Sequence, residues 1–282
     1  MVNYNGDLLP ESSHFLNHHN RGLRFGDALT ETLRYSGEYL LFWEDHYFRL
    51  MAAMRQLRME IPMNFTLEVL EAEIRKTLLA AGHERSPALI GLMVVRNGGT
   101  RLLPETQEIS FIIETARIQT VEFTTAKAPF VADLFRDYYL QADALARLPH
   151  HNRMTSVLAS IYASENGLDT CLLLNHRKEV AEGLHGNLFL RKGNLIKTPP
   201  LDSGCRAGIL RGFLFKEGFT DDSFELIEEG ISPFELQQAD ELFLLDIVHG
   251  VQPITKYRKA NFSDEAAHLA AVMLNKMIPA GS

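Results

Sequence analysis

Apolar positions recur in blocks separated by Gly, Pro and Asn, and the rhythm of each block predicts an element. Residues 1–20 give only an irregular lead-in with a short extended piece, followed by a Gly-rich loop, Arg21 to Asp27. A helical turn from Ala28 to Glu31, a strand from Thr32 to Tyr35, a turn at Ser36-Gly37 and a return strand from Tyr39 to Phe42 come next. Trp43 to Met59 takes a helical period that puts Phe48, Met51, Ala52, Arg55 and Met59 on one face, and Pro62 stops it. Thr66 to Ala81 is the clearest helix, with Leu67, Leu70, Ile74, Leu78 and Ala81 spaced 3, 4, 4 and 3 ahead of Gly82. Ala88 to Arg96 and Glu108 to Ile118 are apolar runs joined by Asn97-Gly98-Gly99, and read as a strand pair. Residues 1–118 are therefore expected to form a small α+β domain, hairpins carrying two helices.

Residues 119–282 are expected to form a larger, β-rich α+β domain. Its first part, with Ala128-Pro129 and the run Asp133 to Arg147, shows no clean period. Asn152 reads as the N-cap of a helix that ends at Asn166-Gly167. Short strands follow at Cys171 to Leu174, Glu179 to Glu182, Asn187 to Arg191 and Leu195 to Lys197, then a helix from Leu210 to Lys216. Further strands are expected at Phe224 to Glu228, Leu242 to Ile247 and Val251 to Tyr257. A short helix starts at Pro233, capped by Ser232, and Asp264 to Met277 closes the chain as a helix capped by Ser263.

Composition narrows the function classes. The chain has 282 residues, a net charge of -8 and an apolar fraction of 46%, so a broad nucleic-acid surface, which needs clustered Lys and Arg, is not expected. No stretch approaches the roughly 18–20 apolar residues of a membrane span, and no basic segment precedes an apolar run at the N-terminus, so a cytoplasmic protein with no membrane partner is expected. Cys171 and Cys205 fit two reduced thiols rather than a disulfide framework or zinc motif.

The densest chemistry lies between Leu168 and Gly218. There the loop Asp202-Ser203-Gly204-Cys205-Arg206-Ala207-Gly208 opens a helix, whose first N–H groups lack internal partners and can face an anion. On this loop alone, a phosphate cradle and a plain turn before a helix both stand. Arg206 and Arg211 flank it, as anion holders or as salt-bridged residues.

The order of motifs resembles the fold-type IV pyridoxal-phosphate enzymes, the class IV aminotransferases: branched-chain and D-amino-acid aminotransferases and aminodeoxychorismate lyases. Asn20-Arg21-Gly22, Phe25-Gly26-Asp27 and Glu31-Thr32 are similar to the family's D-R-G…F-G-D-G-x-F-E-T. Glu182 to Phe189 matches E-G-x-x-x-N-x-F, Thr198 to Arg211 matches T-P-P-L-D-S-G-x-x-x-G-I-T-R, and Ala239 to Leu244 matches A-D-E-x-F-L, with Pro253 beyond. The resemblance covers almost the whole chain. It implies an α+β, two-domain class IV aminotransferase-like (D-amino-acid aminotransferase-like) fold with the site in the interdomain cleft, a small-molecule ligand, a homodimer, and pyridoxal phosphate as cofactor, or else phosphate or another anion.

By the same resemblance Arg21 pairs with the cofactor phosphate, Glu182 faces the pyridine nitrogen, and the backbone of Gly208, Ile209 and Leu210 cradles the phosphate. The family's threonine in that cradle is Leu210 here, and its T-G-T-A turn is Leu245-Asp246-Ile247-Val248, which loses a hydroxyl and brings a carboxylate close to an anion site. The largest departure is at the Schiff-base lysine. Anchored on Asn152-Arg153, a pair that leans toward the lyase-type members, the lysine position is Pro149, and no lysine lies between Lys127 and Lys178. Proline has no amine to condense and nothing to shuttle the Cα proton.

The expected function is thus a class IV aminotransferase-like or aminodeoxychorismate lyase-like protein of amino-acid or chorismate-derived metabolism, inactive or weak in ordinary transamination. The alternative is a pseudoenzyme or repurposed ligand-binding homodimer with a histidine-lined pocket. The family geometry would bring His150, His151, His185 and His249 together, as an acid–base pair or a metal site. Four of the chain's 11 histidines lining a cavity by chance, or satisfying local hydrogen bonds, is the competing reading. No metal site is expected on this basis.

Overall fold

The computed structural model describes residues 1–125, 129–219 and 224–278. Backbone contacts divide the chain into two units. The first is Met1–Val121 with Pro149–Asn152 and the chain from Ile278, and the second is Glu122–Leu148 with Arg153–Met277.

The first unit runs β1 (Val2–Tyr4), β2 (Asp7–Leu9), α1 (Arg21–Phe25), β3 (Ala28–Tyr35), α2 (Trp43–Gln56), α3 (Leu67–Ala81), β4 (Ala88–Arg96) and β5 (Ile109–Arg117). The strands form one antiparallel sheet in the order β2-β1-β5-β4-β3. Along β4, Ala88, Ile90, Leu92 and Val94 are all fully buried while the residues between them are not, which is the period of two of a strand with one face in the core. α3 begins where Thr66 accepts the Val69 N–H and ends at Gly82 in the left-handed region, and it buries Leu70, Ile74 and Leu78.

Two local readings are corrected in this unit. Ala28 to Glu31 is no helical turn but the first half of β3, paired with Val95 to Leu92 of β4. Sheet pairing outweighs the local helical preference there. The helix lies upstream instead, as α1, where Asn20 accepts the Leu23 N–H at 3.0 Å and Gly26 closes the turn. The core face of α2 is also different. Trp43, His46, Leu50, Met51, Ala53 and Met54 are buried, whereas Phe48, Ala52 and Arg55 are exposed. Tyr39 to Phe42 makes one bridge, Tyr35 to Leu40, rather than a strand.

The second unit runs β6 (Val131–Leu140), α4 (Met154–Glu165), β7 (Thr170–Asn175), β8 (Val180–Gly183), β9 (Asn187–Lys192), β10 (Leu195–Thr198), α5 (Ile209–Glu217), β11 (Glu225–Glu228), β12 (Glu241–Asp246), β13 (Gly250–Ile254), β14 (Lys256–Tyr257), β15 (Ala260–Asn261) and α6 (Glu265–Asn275). One sheet has the order β11-β10-β9-β12-β13, the other β15-β14-β6-β7-β8. Leu134, Leu172 and Leu174 from the second meet Leu188, Leu190, Leu242 and Leu244 from the first in a common core. β7 is buried at all six positions, because α4 covers its other face through Ala159 and Ala163.

β6 replaces the stretch expected to lack regular structure. It runs parallel to β7, and its register shifts between Phe135 and Leu140. That irregularity breaks the alternation that would have marked a strand. Asn152 does not cap α4, whose cap position is Arg153, with no side-chain cap bond to the helix. Ser263 does not cap α6 either. Its hydroxyl donates to the Asp240 carbonyl, and the buried carboxylate of Glu241 takes the Ala266 and Ala267 N–H groups at 3.0 and 2.7 Å. Among the described residues no helix is long and apolar enough to cross a membrane.

Candidate functional site

In the first unit, Arg21 opens α1 and is buried. Its Nε donates to Asp27 Oδ2 at 2.8 Å, Nη1 to the Arg101 carbonyl at 2.7 Å and Nη2 to the Leu102 carbonyl at 3.1 Å. Asp27 Oδ2 also receives Arg96 Nε at 2.9 Å. One carboxylate thus fixes two guanidinium groups, and Arg21 has spent three of its five N–H donors.

Pro149–His151 lies along β3. The Thr30 N–H donates to the Pro149 carbonyl at 2.8 Å and the His151 N–H to the Ala28 carbonyl at 3.2 Å, with an antiparallel bridge between Leu29 and His150. The His151 ring is held at 2.5 Å between its Nε2 and Thr30 Oγ1, and His150 Nδ1 accepts the Asn152 N–H at 3.1 Å. The Asn152 side chain packs against Gly26, where a Cβ would sit 2.5 Å from Asn152 Oδ1.

In the second unit, β8 carries Glu182 one residue before its end, and Glu182 is 2% exposed. Its Oε2 accepts both the backbone N–H and Nε of Arg206, at 3.0 and 3.2 Å, and Arg206 Nη2 donates to the Leu184 carbonyl at 3.4 Å. The Glu182 charge raises the Arg206 pKa above its ordinary value against the opposing pull of burial. The partner of Arg206 is therefore an acid of the protein. Arg211, on α5, likewise pairs with Glu228 at 2.6 Å.

The turn after β8 is pressed onto β12, since a Cβ on Gly186 would sit 2.4 Å from the Leu245 carbonyl oxygen. This brings His185 to His249, with ring centroids 4.9 Å apart. Burial, then the neighbouring His249, holds the His185 pKa below its usual value. His249 Nδ1 lies 2.8 Å from Asp246 Oδ2. The second unit thus brings two of the four histidines together, while His150 and His151 belong to the first unit. The Asp246–His249 pairing was missed in the sequence, although an Asp two and three residues ahead of N–H groups in a turn is a readable signal.

α5 starts at Gly208 with no side-chain cap. A Cβ on Gly208 would sit 2.2 Å from Asn187 Oδ1, and Asn187 Nδ2 donates to the Arg206 carbonyl at 2.8 Å. Asn187 thereby shapes the loop from within, and helix geometry leaves the Ile209 and Leu210 N–H groups without intrahelical partners. Leu210 itself is buried. Chemically, this half of the chain offers a buried acid, N–H groups suited to an anion, and an imidazole pair with an orienting carboxylate. Among the described residues no group of three or more His, Cys, Asp or Glu could hold a metal. Cys171 and Cys205 are free, buried, and pushed by burial to about 11, so neither is a ready nucleophile.

The chain is 24% identical to an aminodeoxychorismate lyase of Bacillus subtilis over 97% of this chain and 92% of that one. It is 24% identical to a D-alanine aminotransferase of Bacillus licheniformis over 90% of this chain and 87% of that one. A branched-chain amino acid aminotransferase of Thermobaculum terrenum, solved in its PLP (holo) form, shares the fold with a TM-score of 0.83 at 21% identity, over 98% of this chain and 92% of that one. The family model described as amino-transferase class IV matches residues 28–257. That span includes every strand of the second unit except β15 and three of the first unit's five strands, and the chain belongs to the class IV aminotransferase family.

Proposed function

We propose that this is a class IV aminotransferase-like or aminodeoxychorismate lyase-like protein of amino-acid or chorismate-derived metabolism. In this reading it holds a pyridoxal-phosphate-type ligand without a covalent tether and carries out little or no ordinary transamination.

The observation that carries the second half is Pro149. The family resemblance puts the tethering lysine there, and the bond from the Thr30 N–H to the Pro149 carbonyl fixes the register of that segment on β3. No other lysine offers itself. Every lysine of the described residues except Lys197 is exposed. Burial pulls the Lys197 pKa down, but the carboxylates of Glu235 and Glu229, each 3.1 Å away, more than offset this and hold it above its usual value. A protonated amine does not condense with a carbonyl. Lys127 lies outside the described residues.

The residues fit a non-covalent ligand of this kind. Glu182 is buried and both of its hydrogen bonds fall on Oε2, which leaves Oε1 to meet a pyridine nitrogen. Gly208, Ile209 and Leu210 supply a helix start with no side-chain cap for a phosphate. Bound there, pyridoxal phosphate supplies an electron sink next to an amino group. With Pro149 at the lysine position, the described residues contribute no amine there to move the Cα proton.

A second reading, a repurposed ligand-binding homodimer, draws on the His185–His249 pair oriented by Asp246. An imidazole kept neutral beside one paired with a carboxylate is a workable base and acid. Homodimer formation follows from the family resemblance, and the exposed apolar side chains Leu23, Leu102 and Leu103 of the first unit support it. The test is reduction with borohydride after incubation with pyridoxal phosphate. The proposal expects no lysine adduct in the pocket and no exchange of amino groups between amino and keto acids.

A further inference from the structure

The turn between β12 and β13 carries an anion of its own. Asp246 Oδ1 accepts the Val248 N–H at 2.6 Å and the His249 N–H at 2.7 Å, and Asp246 Oδ2 lies 2.8 Å from His249 Nδ1. Two successive N–H groups directed at one oxygen is how a turn holds an anion. Charge on the acceptor shortens and strengthens such bonds. The His249 ring adds a third contact.

The turn stands one strand away from the start of α5. Leu245 pairs with Asn187 of β9, and the Asn187 side chain bonds the Arg206 carbonyl and packs on Gly208. The Asp246 charge acts on Arg206 and on His185. Glu182 takes the Arg206 guanidinium. Two carboxylates therefore face one guanidinium and two imidazoles around this end of the sheet. A phosphate carries about -1.5 to -2 charge at neutral pH. To use the turn it would have to displace a fixed carboxylate from three bonds, and to avoid the turn it would still lie beside that carboxylate.

We propose that Asp246 is an intramolecular counter-anion that occupies the N–H pair of Val248 and His249 and biases the site against ligands with a dianionic phosphate, in favour of ligands whose corresponding end is neutral or singly charged. This rests on the reading that the second unit holds a pyridoxal-phosphate-type ligand.

The experiment is calorimetric titration of the full chain with pyridoxine 5′-phosphate and with pyridoxine, which share a ring, lack an aldehyde and differ only in the phosphate. It compares the native protein with D246N and D246G. D246N keeps a side-chain oxygen for the Val248 and His249 N–H groups and removes the charge, so the turn is retained. D246G removes the carboxylate from both N–H groups. The expected result is a rise of about tenfold or more in preference for the phosphorylated ligand in both variants, with pyridoxine affinity unchanged. If both ligands bind and the preference does not move in either variant, Asp246 is only a turn residue and the inference is overturned while the functional reading stands. If neither ligand binds any of the three proteins, both the inference and the functional reading fall.

Discussion

Glu182 and Arg206 are joined twice through one oxygen, with the Arg206 backbone N–H and its Nε both reaching Glu182 Oε2, at 3.0 and 3.2 Å. The pair locks the loop before α5 to the end of β8, so these two elements are held to one another. R206A leaves a buried carboxylate without its cation. It should cost about 2–3 kcal/mol of stability in urea unfolding, toward the low end for broken buried pairs because Arg206 is partly exposed. Loss of less than about 0.5 kcal/mol would show that the pair is a surface ornament.

Gly208 makes the same loop sensitive to a single methyl group. G208A places a Cβ 2.2 Å from Asn187 Oδ1, so Asn187 must give up its bond to the Arg206 carbonyl. A loss of about 1–3 kcal/mol is expected for such overpacking, together with weaker binding of pyridoxine 5′-phosphate. The double variant G208A/N187A removes the clash and should recover part of the lost stability. No recovery would place the strain elsewhere.

The first unit has a pH-sensitive core. His46 is fully buried, its Nδ1 2.6 Å from Glu31 Oε2, and Arg49 Nη2 reaches the same oxygen at 2.6 Å. Burial holds the His46 pKa below its usual value, against the pull of Glu31. For Glu31, burial raises the pKa, but Arg49 and His46 outweigh it and keep the carboxyl below its usual range. The unfolded chain therefore binds the His46 proton more readily than the folded one. The stabilising contribution is fully present above about pH 6.5 and is lost as pH falls through that range toward the folded pKa. Urea midpoints should fall between about pH 7.5 and 5.5, and H46Q should flatten that part of the profile. A native profile as flat as that of H46Q would contradict the assignment.

Cys171 and Cys205 should be silent toward a thiol reagent in the folded protein. Both are buried, with pKa values pushed to about 11, so the thiolate is scarce and shielded. Titration with an aromatic disulfide at pH 8 should find no fast-reacting thiol in the native state and two in denaturant. A fast native thiol would show that one of these cysteines is more open than the fold implies.

Elements with a clean period were legible in the sequence. α3 and β4 follow their predicted spacing because each has one mostly apolar face in a single core. β7 to β10 were legible because short turns set them apart. The face of α2 was misread for a reason that lies in the structure. His46 is accommodated in the core by its bond to Glu31, and a buried polar pair leaves no hydrophobic signal, whereas Phe48, which does, is 63% exposed. β6 was hidden by its register shift. The Asn5-Gly6 hairpin turn, with φ of 53° and 95°, carries the Asn-Gly signal that favours such a turn. In the site, Glu182 and the loop into α5 were visible as a motif. Their connection through Arg206 and Asn187 was not, because those bonds join residues 19 to 24 positions apart. Asp246 was read as a charge near an anion site, and its role as the anion held by the turn emerged only from the backbone around it.

The account turns on Pro149, and the most direct measurement is borohydride reduction followed by peptide mass mapping, on the native protein and on P149K, after incubation with pyridoxal phosphate. The Pro149 carbonyl, which accepts the Thr30 N–H, is retained by lysine, so the variant keeps the segment on β3. The expected result is no site-specific phosphopyridoxyl lysine in the native protein and a single one at position 149 in P149K. A stoichiometric adduct on any lysine of the native protein, accompanied by amino-group transfer, would contradict it.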